Sequence, residues 1–135
     1  MTHKAYTVLH HTGTAPGSGK FITGYHLVLD YHLGRVRIYT PHAPDADIAV
    51  EDETHPPLYA VGLVGNYDKY EVPLPLLNAL IHVLRLKTQR KEIPAQIYTH
   101  SGLHQAMKTQ HAPACPGRYL TEKLPDIRAQ VLQQV

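Results

Sequence analysis

The spacing of apolar positions changes along this chain, and each change marks an element. Tyr6–His10, "YTVLH", is a short apolar run of strand length. "GYHLVLD" (24–30) alternates. After the turn signal "HLG", "RVRIY" (35–39) returns as its hairpin partner. "LYAVGLVGNYD" (58–68) opens as an unbroken apolar run, the pattern of a strand buried on both faces. A helical period then takes over. Between Pro73 and Gln89, Leu76, Leu77, Leu80, Ile81 and Leu84 share one face, while Asn78, His82, Arg85 and Gln89 share the opposite one. Pro73 and Pro75 suit a helix start, where the missing N–H has no partner to lose. Pro94–Thr99 reads as a last short strand. Arg118–Leu124 and Pro125–Gln134 read as helical, with Pro125 breaking or restarting the helix.

Two stretches carry no period. Thr12–Lys20 is rich in glycine, serine and proline, and Pro41–Pro57 in proline, aspartate and histidine, so both predict surface loops. "GTAPGSGK" is no phosphate-binding loop, because Thr14 stands where that motif needs glycine and Phe21 where it needs serine or threonine. No repeat or linker divides the chain, and 135 residues suit a single core. The expectation is one α/β domain over residues 1–135, with a central mixed sheet of about five strands flanked by helices.

Composition narrows the function class. A hydrophobic content of 43% with 18% charged residues describes a folded globular chain. The net charge is only +2 and the basic residues are scattered. The one cluster, "RLKTQRK" (85–91), reads as a solvated helix end, so no nucleic-acid partner is expected. No run is long enough for a transmembrane helix, and "MTHKAYTVLHH" lacks the apolar core of a secretory signal. The chain is expected to be cytoplasmic as made and without a membrane partner, and a monomer is expected.

Candidate chemistry sits at the strand ends. His10 closes the first strand, and His100 closes "IYTH". Cys115, in "ACPG", is the single cysteine, so an intramolecular disulfide is excluded; it is a buried filler, a nucleophile or a metal ligand. Two imidazoles and one thiolate form a donor set suited to one zinc ion. Three protein ligands leave the fourth position open for water, the catalytic rather than the structural pattern. Spacing alone leaves the other reading standing, in which each is a packed polar or core residue.

The ordered set "VLHHTGT", "GYHLVLD" with "GRVRIY", "AVGLVGNYD", the leucine-rich helix, "IYTH" and "CPGRYL" covers most of the chain and resembles the type 2 N-acetylmuramoyl-L-alanine amidases. That family includes phage lysozyme-like amidases and peptidoglycan recognition proteins. The resemblance implies zinc bound by His10, His100 and Cys115 at the strand ends, with Tyr25 beside the metal as a catalytic group. It implies a hydrolase acting on peptidoglycan or muropeptides, which cleaves the amide between N-acetylmuramic acid and the L-alanine of the stem peptide. The setting would be a phage or prophage type of enzyme that reaches the wall after release.

Three departures from the family pattern shape the expectations. The loop after His10 stands where the family usually has a helix. Pro113 stands where a second catalytic donor is often found, which makes His111 the first candidate for that role and Lys108 the second. Gly62 occupies the place of a glutamate that some relatives carry. Asn66 and Tyr67 follow a strand end and are candidates to line a substrate groove. His11 and His26 are expected to point away from His10 and Tyr25 and to pack. His104 is a candidate fourth ligand or supporting residue. Two further functions stay open: a muropeptide-binding module that does not cut, and a structural zinc domain closed by His104 or His111.

Overall fold

The structure is a computed structural model and describes residues 6–17, 24–44, 46, 58–100, 102 and 117–132. Strands β1 (Tyr6–His11), β2 (Leu27–His32), β3 (Arg35–Tyr39), β4 (Leu58–Leu63) and β5 (Ile97–Thr99) form one sheet in the order β3-β2-β4-β1-β5. Four strands run parallel, and β3 is antiparallel to β2, so the sheet is mixed as expected. β4 lies between β2 and β1 and is buried at every position, which is why its sequence is apolar without alternation.

Alternation along the strands sorts the two faces. Leu9, Leu27, Leu29, Tyr59, Val61 and Leu63 enter the main core with the helices. Val8 and Leu58 form a smaller cluster with Tyr6 and Tyr98 on the other face. Helix α1 (Leu74–Gln89) follows Pro73 at its N-cap and buries Leu76, Leu77, Leu80, Ile81 and Leu84, the face its sequence predicts. Each such side chain contributes about 1.5–3 kcal/mol on burial. Helices α2 (Arg118–Glu122) and α3 (Leu124–Val131) add Leu120, Leu124, Ile127 and Val131 to the same core. Pro125 lies in the first turn of α3 rather than between the helices, and Lys123 ends one helix and caps the next. Arg128 of α3 donates from Nε to the Ile97 carbonyl at 2.7 Å and lies over the Tyr98 ring, which ties down β5 at the sheet edge.

Some boundaries differ from the sequence reading, each for a local reason. β2 starts at Leu27 rather than Gly24, because the His26 side chain takes over a ladder position: its Nδ1 accepts the Ala60 N–H at 3.0 Å. β2 also runs on to His32, where Leu33 and Gly34 turn the chain with φ of 53° and 76°. Two consecutive positive φ values match the right-handed twist of a two-residue hairpin. β5 begins at Ile97, three residues after Pro94, whose carbonyl accepts the Thr7 hydroxyl instead. No helix among the described residues is long and apolar enough to cross a membrane.

Candidate active site

Parallel pairing brings the two histidines together. β1 aligns with β5 so that Leu9 faces Thr99, which makes His10 and His100 the next pair along. Their ring centroids lie 4.6 Å apart with planes tilted by 53°. Both side chains are buried, at 4% and 9% exposure. Thr99 caps the turn that begins at His100, its Oγ1 accepting the Gly102 N–H at 3.0 Å. The pair sits at the carboxyl ends of parallel strands, where α/β sheets bind their ligands. Two imidazoles this close can converge on one metal ion or share one proton.

Tyr25 completes the described part of the cluster, its ring 5.5 Å from that of His10. It lies over Gly62, the residue that faces His10 across the β1–β4 ladder. His26, next in the chain, fixes the backbone there. Its N–H donates to the Ala60 carbonyl at 2.9 Å, its Nδ1 accepts the Ala60 N–H, and its Nε2–H donates to the Ala46 carbonyl at 2.7 Å. That set of bonds assigns the proton to Nε2. The ring stacks on Tyr59 at 5.1 Å. His26 is thus a clasp between β2 and β4, on its own side of the Tyr25 turn.

His11 points to the face opposite His10 and packs, as its position in the strand predicts. Its Nδ1 accepts the Tyr67 N–H at 3.0 Å. Burial lowers its pKa below the ordinary histidine value, while the nearby Asp68 carboxylate acts in the opposite sense. Tyr67 is only 4% exposed, and its phenol donates to the Val64 carbonyl at 2.8 Å. Burial, with a smaller effect of Asp30, pushes that phenol's pKa well above the usual tyrosine value. The Tyr67 ring therefore belongs to the core rather than to a groove wall. Asn66 is half-buried, and its Oδ1 accepts the Asp68 N–H at 3.2 Å, so its side chain braces the turn.

That turn anchors the end of the "CPG" segment. Gly117 has φ of 90°, and a Cβ there would overlap the backbone of Tyr67 and Asp68. Tyr119 donates its N–H to the Tyr67 carbonyl at 2.9 Å. His11, Tyr67 and Gly117 are therefore joined in series beyond the ends of β1 and β4.

The segment after β1 is held at both ends of its described part, residues 12–17. Thr12 donates its N–H to the Leu63 carbonyl at 3.0 Å, and its Oγ1 accepts the Gly65 N–H at 3.1 Å. At the other end, the Gly17 N–H reaches the Asp30 carboxylate at 2.9 Å and 3.1 Å. Asp30 is 4% exposed. No local pattern in the sequence marks Asp30, Thr12 or the ring contact at Gly62 as part of this region. The one available signal was a carboxylate at the end of the apolar run "LVLD".

Cys115, His111, Lys108 and His104 lie outside the described residues. Among the described residues, no three His, Cys, Asp or Glu side chains gather as a metal-binding group. His10 and His100 fit two positions of a zinc donor set by type, burial and closeness.

No family model matches the sequence, and no curated protein matches it. Solved structures do, and they define the class: the fold is that of the type 2 amidases and peptidoglycan recognition proteins. The N-acetylmuramoyl-L-alanine amidase LysC from Clostridium intestinale URNW is similar at a TM-score of 0.70 with 17% identity, over 97% of this chain and 87% of that one. The bumblebee peptidoglycan recognition protein PGRP-SA follows at 0.57 and 14%, over 91% and 81%. Drosophila PGRP-LB, as a tyrosine-to-phenylalanine mutant in complex with tracheal cytotoxin, is similar at 0.56 and 15%, over 90% and 79%.

Proposed function

We propose that this chain is a zinc-dependent N-acetylmuramoyl-L-alanine amidase. The observation that carries this reading is the buried His10–His100 pair beside Tyr25, at the strand ends of a fold shared with amidase endolysins. His10, His100 and Cys115 would hold the ion. When bound, zinc polarises the scissile carbonyl and makes water nucleophilic at neutral pH.

The chain's own groups do the rest. The Tyr25 hydroxyl donates a hydrogen bond to the carbonyl oxygen as negative charge develops there. The leaving nitrogen needs a proton, for which His111 is the first candidate donor and Lys108 the second. The latched loop at 12–17 and the Asn66 turn follow the ends of β1 and β4, with Asn66 the candidate contact to substrate and the Tyr67 backbone its support.

A second reading is a module that binds muropeptides without cutting them. The recognition-protein neighbours, one of them solved with tracheal cytotoxin, favour it. The two separate on purified peptidoglycan. An amidase releases soluble stem peptides and stops when a chelator is added. A binding module co-sediments with the wall and releases none.

A further inference from the structure

We propose that Gly62 is a positioning residue: its missing side chain sets where the Tyr25 ring lies beside His10. The inference deepens the amidase reading and rests on it for its catalytic consequence. In the sheet, Gly62 stands between His10 of β1 and Val28 of β2. A Cβ at Gly62 would come to 2.6 Å from Cδ2 of Tyr25 and to 2.8 Å from both Cε2 and Cγ. These atoms belong to the body of the ring, not to a flexible tip.

The backbone at Gly62 places no demand for glycine, since its φ is not among the positive values. Glycine inside a central strand weakens that strand, and its usual justification is a close approach by another group. Here the approaching group is the Tyr25 ring. Tyr25 has little freedom to yield by moving its main chain, because the next residue, His26, is bonded to Ala60 through both backbone and ring. With a Cβ present, the ring must withdraw by about 0.8 Å, from 2.6 Å to 3.4 Å, before the contact becomes ordinary. Such a shift moves the phenol relative to His10. A misplacement near 1 Å costs a reaction about 100-fold in rate.

The test is a double-mutant cycle of Gly62→Ala and Tyr25→Ala, read in two ways. The first readout is thermal stability, which needs no cleavage. Gly62→Ala should lower Tm by about 3 °C or more in the parent and by nothing, or raise it, in the Tyr25→Ala background, where the ring is gone. If Gly62→Ala alone fails to fold, recovery of folding in the double variant gives the same answer. Equal Tm shifts in both backgrounds would overturn the contact as the reason for Gly62. The second readout is kcat on peptidoglycan. Gly62→Ala should reduce kcat about 10-fold or more with KM little changed, and should add nothing to Tyr25→Ala. Coupling in Tm with full activity in Gly62→Ala would overturn the positioning role. Coupling in Tm with an inactive parent protein would instead overturn the amidase reading and leave Gly62 as packing alone.

Discussion

Replacing Gly117 by alanine tests whether the segment that follows Cys115 is seated on the 66–68 turn. Two costs act at once. The backbone of Gly117, at φ 90° and ψ 156°, lies in a region that is essentially glycine's alone and costs an L side chain about 1–3 kcal/mol. Part of this is offset by about 0.4–1 kcal/mol, because alanine also restricts the unfolded chain. The larger cost is steric, since the new Cβ would overlap the Tyr67–Asp68 backbone, and backbone cannot rotate away as a side chain can. Relief requires α2 to lift from the turn. That strains the Tyr119 N–H to Tyr67 carbonyl bond of 2.9 Å, worth about 1 kcal/mol, on top of an overpacking cost of about 1–3 kcal/mol. The sum is a loss of about 2–6 kcal/mol. Gly34→Ala is the internal control: its φ is 76°, but nothing lies within 4 Å of the added Cβ, so it should lose only about 1 kcal/mol. Urea unfolding at fixed m-value reads both. Equal losses in the two variants would refute the steric seat and leave backbone conformation as the whole effect.

Other perturbations read other parts of the frame. Asp30→Ala should free the loop at Gly17 and speed proteolysis between residues 12 and 17, whereas Asp30→Asn, which keeps an acceptor, should be milder; unchanged cleavage in both would contradict the latch. Tyr67 and Tyr59 both have phenol pKa values raised above the ordinary 10.0, chiefly by burial. The folded state therefore keeps protons that the unfolded state gives up above pH 10, and stability should fall as pH rises past that point. Tyr67→Phe should flatten that alkaline slope and, by leaving the Val64 carbonyl without its donor, cost about 1–2 kcal/mol at neutral pH; an unchanged slope would contradict the assignment. Leu80→Ala, at 0% exposure in the main core, should cost about 2–5 kcal/mol in the same unfolding assay, and a loss under 1 kcal/mol would contradict the packing of α1 on the sheet.

Much of the frame was legible because local pattern and tertiary environment agree. The face of α1 follows from leucine spacing, and the central place of β4 from its unbroken apolar run. The meeting of His10 and His100 was reachable because both end strands of a recognisable order. What stayed hidden depends on register across strands far apart in sequence. No local pattern reveals that Gly62 faces His10, or that Tyr25, 37 positions earlier, covers it. The Asp30 carboxylate is decided by a loop N–H at Gly17. Tyr67 reads as a candidate groove-lining residue after a strand end, yet its phenol turns inward to Val64 because Gly65 leaves room for it: a Cβ there would meet the hydroxyl at 2.5 Å. The start of β2 was misplaced for a similar reason, since an imidazole stands in for a strand residue at His26.

The proposed reaction is hydrolysis of the lactyl–L-alanine amide at the His10–His100 end of the sheet. The most direct test gives a zinc-loaded sample a defined muramyl peptide in water labelled with oxygen-18, followed by mass spectrometry of both products. The expected products are a stem peptide with a free L-alanine amino terminus and a lactyl carboxylate carrying one heavy oxygen, with neither formed by His100→Ala or Cys115→Ser. A substrate bound and returned intact, or a cut at any other bond, would contradict it.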